Sequence, residues 1–286
     1  MTTWKDRLSA LARDRLPAEA AEKWIELFQP GIRLTAGPGP RVARLGGNPA
    51  LPPGVDWPSW PGHGPLNFIA SVDCAALPRE FLRIPLPAAG TLLFFYFDGE
   101  RQPGCPDPAL AEDVEGSRVI FVPAGTAVAE RTPPGIEPYP GVDLVAEVVA
   151  TAPEREHLLL EQTRTASGAT LAEAVRTVLG PGRSGTDVFG ELRWEVDQGP
   201  FHQVGGFAAP VQGPVENEVA ALELADSWQD PGFAEEAARW VLLAQIDSCQ
   251  EADMCWGDAG MLYWVIRAED LAAGRFEAAR CAPQCG

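Results

Sequence analysis

"GTLLFFYF", residues 90–97, has a distant counterpart in "GMLYWVI", residues 260–266. Each is a glycine followed by an unbroken run of apolar or β-forming side chains. Such a run suits a strand buried on both faces, and the glycine suits a tight turn just before it. The surroundings repeat as well. "RLGGNPALP" (44–52) recurs as "QVGGFAAPV" (203–211), and "NFIASVD" (67–73) as "VLLAQID" (241–247). "GSRVIFVP" (116–123) recurs more loosely as "GRFEAARC" (274–281). The order is preserved, with offsets of 159, 174, 170 and 158 residues. One ancestral unit, copied in tandem with different loop insertions, accounts for all four matches. The Gly-Gly step allows positive φ and close backbone approach. Asp73 and Asp247 end their strands, where a carboxylate can bond local backbone N–H groups.

Between these segments the spacing predicts helices and turns. Residues 4–28 read as two short helices, with Pro17 as an early residue of the second. Residues 34–65 carry Gly or Pro at almost every third position and read as an extended, aromatic-studded loop. Segments 65–73, 90–98, 116–123 and 142–150 read as strands. Residues 99–115, "GERQPGCPDPALAEDVE", read as a surface excursion. Residues 153–180 are helical in pattern, with Thr170 and Glu173 forming a capping box and Gly180-Pro181 as the stop. Helical signal returns at 216–226 and 232–239. The expected fold is α+β and duplicated, two related halves with antiparallel sheets and flanking helices. Its divisions are a helical segment 1–30, a first half 31–150 and a second half 151–286, joined in one compact unit.

Composition narrows the function. The 286 residues are 46% hydrophobic, enough for a sizeable core. The 29 glycines and 28 prolines favour a loop-rich chain over a helical bundle. The net charge of −18 repels phosphate, so nucleic acid and anionic membranes are poor partners, whereas a basic protein fits. "MTTWKDRLSALARD" lacks the apolar core of a signal peptide, and no run of about 18 apolar residues predicts a membrane span. These features predict a cytoplasmic protein, whose six cysteines (Cys74, Cys105, Cys249, Cys255, Cys281 and Cys285) are thiols.

Taken together, "LGGNPALPPGVDWP", "PLNFIASVD", "LPAAGTLLFFYFD", "HQVGGFAAPVQGP", "WVLLAQID" and "GDAGMLYWVIRAEDLAAGRF" resemble the YwqG-like family, a bacterial domain of unknown function (DUF1963). The resemblance spans about residues 40 to 281 and implies a duplicated α+β fold with antiparallel sheets. It implies no catalytic activity. The family tends to have Gln in the first strand where this chain has Ser71, while Gln245 keeps it in the second. Asp258 matches the family's Asp before the last strand, and Trp57-Pro58 its Trp-Pro.

Few residues suggest chemistry. The histidines are His63, His157 and His202, and no Gly-x-Ser-x-Gly elbow accompanies them. The glycine-rich "GPGPRVARLGG" has prolines where a phosphate cradle needs N–H donors. Cys249, Cys255, Cys281 and Cys285 could together hold zinc, though their spacings are unlike those of zinc ribbons. Asp247, Glu251, Asp253 and Asp258 could hold calcium, though their spacing is not an EF-hand's. Asp258 reads better as an organiser of the turn 256–260. The expectation is therefore no cofactor, no metal and no catalytic residue.

Loop tryptophans Trp57, Trp60 and Trp256 either pin their loops or face a partner. The leading expectation is a non-enzymatic binding or interaction protein, in one version an immunity-type protein that neutralises a toxin. The alternative is a small-ligand binder or enzyme with its site in a cleft between the halves. The nominated binding residues are Arg44, Trp57, Asp73, Gln245, Trp256 and Asp258.

Overall fold

Apolar runs such as TLLFFY and MLYWVIR, buried on both faces, are the long strands of one antiparallel sheet of ten strands. The computed structural model describes residues 4–101, 114–179, 187–225 and 227–286. In chain order the sheet strands are β1 (Gln29–Ala36), β2 (Ala43–Leu45), β3 (Asn67–Asp73), β4 (Thr91–Tyr96) and β5 (Ser117–Val122). They continue with β6 (Val142–Thr151), β7 (Gln203–Val204), β8 (Trp240–Asp247), β9 (Met261–Arg267) and β10 (Arg280–Gln284). Their spatial order is β10-β9-β8-β7-β1-β6-β2-β3-β4-β5. Outward from the central β1–β6 pair, both ends run in chain order, β2 to β5 on one side and β7 to β10 on the other.

The registers of the two ends match residue for residue. Arg44 pairs Ser71 and Leu45 pairs Ala70 at the first end; Gln203 pairs Gln245 and Val204 pairs Ala244 at the second. A bulge interrupts β3–β4 between Phe68 and Ala70, and another interrupts β8–β9 between Leu242 and Ala244. Ser71 faces Leu93, as Gln245 faces Tyr263. Gly46 and Gly47 have φ of 57° and 72°, and Gly205 and Gly206 have 62° and 75°. These turns bring backbone very close: a Cβ on Gly46 would lie 2.7 Å from the Tyr139 carbonyl oxygen, and one on Gly206 2.7 Å from Thr151 Oγ1.

The sheet curls until its ends meet around a shared core. Phe94 of β4 and Trp264 of β9 sit 5.1 Å apart by ring centroids, and Phe121 of β5 approaches Phe276 to 5.1 Å. Ile32, Leu34, Leu45, Phe94, Trp264 and Ile266 are among its fully buried members. Burying an aliphatic side chain of this size contributes about 1.5–3 kcal/mol, so the contiguous cluster fixes which face of each strand points inward.

Helices pack outside. α1 (Trp4–Arg15), α2 (Ala18–Glu26), α4 (Leu171–Leu179) and α5 (Asp187–Val196) share a second core around Leu8, Trp24 and Phe189. Pro17 stands just before α2, as its N-cap residue, rather than inside it. The pattern over 153–180 resolves into α3 (Leu158–Gln162), a turn and α4. The capping box forms: Thr170 N donates to Glu173 at 2.8 Å, and Glu173 N to Thr170 Oγ1 at 3.1 Å. The stop at Gly180-Pro181, most of the excursion 99–115 and Cys105 lie outside the described residues.

Four strands depart from the sequence reading: β2 lies within the segment 34–65 read as a loop, the two-residue β7 was not expected, and β1 and β10 differ as follows. β1 carries Pro30-Gly31 at its second and third positions, which breaks the expected alternation. The short β7 pairs only Ile32 and Arg33, so on that side no partner strand needs an N–H from Pro30. The last strand is Arg280–Gln284, not 274–281; residues Phe276–Ala278 form a 3-10 turn instead. An edge position accommodates Pro283 in that strand. Helix α5 is likewise absent from the sequence reading. Buried ion pairs at its end tie it to the sheet: Arg193 bonds Glu154 at 2.6 Å, and Asp197 pairs with Arg33. The Phe201 ring lies under both guanidinium groups, at 5.4 Å from Arg33 and 4.6 Å from Arg193.

Candidate functional site

The second end of the sheet has its outer face filled. Helix α6 (Val215–Glu223) and the loop 207–214 cover Leu242, Gln245, Met261 and Tyr263. Gln245 is fully buried, and both ends of its amide are used within the chain. It accepts from Ala209 N at 3.0 Å and donates to the Phe201 carbonyl at 2.7 Å. Tyr263 Oη donates to the Ala209 carbonyl at 2.8 Å, and Gln284 accepts from Val211 N and Gln212 N. Asp247 accepts from Phe201 N at 3.0 Å. These bonds hold the loop flat on the strands.

The first end leaves the matching face open. By register, Phe68, Ser71, Asp73, Thr91 and Leu93 stand where Leu242, Gln245, Asp247, Met261 and Tyr263 stand. Those five residues line a polar cleft of about 340 Å³, walled by Arg41, Arg44, Asn48 and Glu130. Ser71 is too short to span to the opposite wall as Gln245 does. Asp73 is exposed and accepts from Ala75 N at 2.9 Å, leaving its other oxygen toward solvent.

Arg44 sits at the base of this cleft, between Asp143 of β6 and Ser71 of β3. Its Nε lies 3.8 Å from the Asp143 carboxylate, beyond hydrogen-bond reach, and has no hydrogen-bond partner. The guanidinium rests on backbone: a Cβ on Gly141 would come within 2.8 Å of Nε, and one on Gly47 within 3.2 Å. Two glycines thus make room for a cation held in place by packing. Nε is buried against that backbone within ion-pair distance of Asp143, and the side chain as a whole is 42% exposed, so an acceptor entering the cleft would meet the outer guanidinium nitrogens rather than Nε.

The remaining nominated residues lie elsewhere. Trp57 pins its loop: Nε1 donates to the Leu66 carbonyl at 2.9 Å and the ring stands edge-on to Phe95 at 5.3 Å. Trp60 stacks on His63 at 3.7 Å. Trp256 is buried between Tyr96 and Tyr139, each 6.0 Å away. Asp258 is exposed, and its carbonyl accepts from Gly286 N at 2.9 Å, which ties the turn to the last strand. Arg44 and Asp73 therefore share the cleft, whereas Trp57, Gln245, Trp256 and Asp258 do not line it.

The four-thiolate and acidic-loop arrangements do not assemble. Cys281 points into the main core beside Trp264, where burial pushes its thiol well above the usual range. Cys249 hydrogen-bonds Glu251, and Asp253 pairs with Arg101. Among the described residues no three His, Cys, Asp or Glu side chains gather as a metal group. Cys74, Cys249, Cys255, Cys281 and Cys285 are free thiols.

Two histidines serve the backbone. His157 Nδ1 accepts from Leu159 N at 3.2 Å, capping α3, and His202 Nδ1 accepts from Asp247 N at 3.1 Å. Burial pushes both imidazoles down to about 4, so each is a neutral acceptor at physiological pH.

Glu216 is the residue that sequence reasoning missed. It lies in the first turn of α6, only 8% exposed, and burial pushes its carboxyl up to about 7. An acid in a first helical turn reads as a solvated partner of the helix dipole, and nothing local to the sequence says otherwise. The one hint is its neighbourhood, with Pro214 and Val215 before it and Val219, Ala220 after.

Among the described residues no helix is long and apolar enough to cross a membrane. No curated protein matches the chain. The model of a family described as "Domain of unknown function (DUF1963)" matches residues 43–285, which hold every sheet strand but β1 and every helix but α1 and α2, and the chain belongs to that family.

Proposed function

We propose that this chain is a non-catalytic, cytoplasmic binding protein whose ligand enters the open cleft at the first end of the sheet. The observation that carries the reading is the contrast between the ends: Gln245, Met261 and Tyr263 are covered by a loop at one end, and their counterparts Ser71, Thr91 and Leu93 line a polar cleft at the other. The cleft carries both signs, Arg41 and Arg44 against Asp73 and Glu130. A small zwitterion such as a free amino acid matches it, with its carboxylate on Arg44 and its ammonium on Asp73. The histidines support a non-enzymatic role, since two of the three are committed to backbone N–H groups.

The two ends of the sheet are, on this reading, copies of one unit that have diverged in what covers their outer face. Matching registers, bulges and Gly-Gly turns support it. The divisions 31–150 and 151–286 then mark the halves, which share one sheet.

The net charge of −18 supports a second reading, a partner protein with a basic patch, including the immunity-type version. Thermal denaturation with a panel of free amino acids separates the two. At least one amino acid raises the melting temperature of the wild type and not of Arg44→Ala if the cleft is the site. Equal responses of the two proteins, or none, overturn the cleft reading.

A further inference from the structure

A second cavity, of about 240 Å³, opens between α3, α6, α7 (Phe233–Arg239) and the start of β8. Its walls are mainly apolar, with Phe207, Trp240 and Leu242 among them, and Arg83 stands exposed at its rim. Glu216 and His157 also line it. The Glu216 carboxyl forms no ion pair and no hydrogen bond to another residue among the described residues, although nine-tenths of the residue is buried. His157 stacks edge-on against Phe207 at 5.1 Å and uses Nδ1 on the backbone, so the proton sits on Nε2 and the ring carries no charge.

A buried carboxyl with no cation beside it is costly as an anion, and an ammonium entering the cavity relieves that cost by pairing with it as its proton leaves to solvent. An apolar pocket with one such group is the arrangement that ligand sites use to fix orientation. The cavity is too small for a side chain of a folded partner to enter with its backbone, and suited to a molecule of a few carbons or one ring. We propose that this cavity binds a small organic amine, its ammonium held by Glu216 and its hydrocarbon body packed between Phe207, Trp240 and Leu242. His157 cannot repel the cation, because it is neutral. Arg83 at the mouth disfavours a second positive charge and so favours monoamines over polyamines.

The site is independent of the Arg44 cleft, which lies at the other end of the sheet. Calorimetric titration of the full chain at neutral pH tests it, with benzylamine, benzyl alcohol and benzoate as probes. Benzylamine binds the wild type, and the other two bind at least about tenfold more weakly, because a desolvated charge-assisted hydrogen bond discriminates by that factor. Glu216→Gln, which keeps the shape and removes the charge, weakens benzylamine by about tenfold or more. Ala238→Trp, a change at an exposed position on the cavity wall, blocks benzylamine without touching Glu216. Absence of benzylamine binding to the wild type overturns the proposal. So does benzoate binding as tightly, or undiminished binding to a folded Glu216→Gln or Ala238→Trp protein.

Discussion

Glu216 gives the protein a pH signature that one substitution isolates. Its carboxyl ordinarily titrates at 4.5 and is pushed up to about 7 by burial. Folding therefore takes up a proton at this site between those values. The stability it permits is full below 4.5 and is lost as pH rises to about 7, a change of about 3 kcal/mol. His157 and His202 act oppositely: each is pushed from 6.5 down to about 4, so their contribution is present above 6.5 and lost as pH falls toward 4. The wild-type profile mixes both trends. Urea denaturation of Glu216→Gln beside the wild type removes the histidines by difference. The variant gains on the wild type steadily from pH 4.5 to 7 and not below; a difference independent of pH contradicts a buried, unpaired carboxyl. Little of this was legible in the sequence. Thr170 and Glu173 announce their cap because the motif is local, whereas the cost at Glu216 comes from α3 and β8, both far from it along the chain.

At the scale of elements, the strands were largely legible and their boundaries less so. Thr91–Tyr96 and Trp240–Asp247 are long apolar runs that admit no other reading. β1 was missed because Pro30-Gly31 hides a strand that has a full partner on one side only, and α5 because its anchors are ion pairs to distant residues. The last strand was misplaced because "GRFEAARC" mimics a strand start while the edge tolerates Pro283. The glycines before β4 and β9 sit where a side chain has no room. A Cβ on Gly90 would lie 2.6 Å from the Phe121 ring and 2.7 Å from the Val122 carbonyl oxygen, at φ of 113°. One on Gly260 would strike the corresponding carbonyl of Gln284. Gly90→Ala should therefore cost about 2–4 kcal/mol in urea denaturation, from strain and displacement of β5. A cost below about 0.5 kcal/mol, the level of an unconstrained surface site, would show that the turn can relax.

At the scale of the whole molecule, two matching ends flank one central strand pair, and their outer faces differ. Which end is open was not legible, because closure depends on one side chain length, Gln245 against Ser71, and on where the loop 207–214 lies in space. Arg44 and Asp73 line one cleft, which lies within residues 41–130 rather than between the halves as expected from the sequence; Gln245 bonds Ala209 and Phe201, and Trp256 is buried. The open end carries the functional claim, and backbone amide chemical shifts during titration with the amino acid that most raises the melting temperature test it most directly. The account predicts that shifts change around Arg44, Gly46–Ala50, Ser71 and Asp73, while Gln203 and Gln245 stay still. Changes confined to the second end, or scattered over the acidic surface, would contradict it.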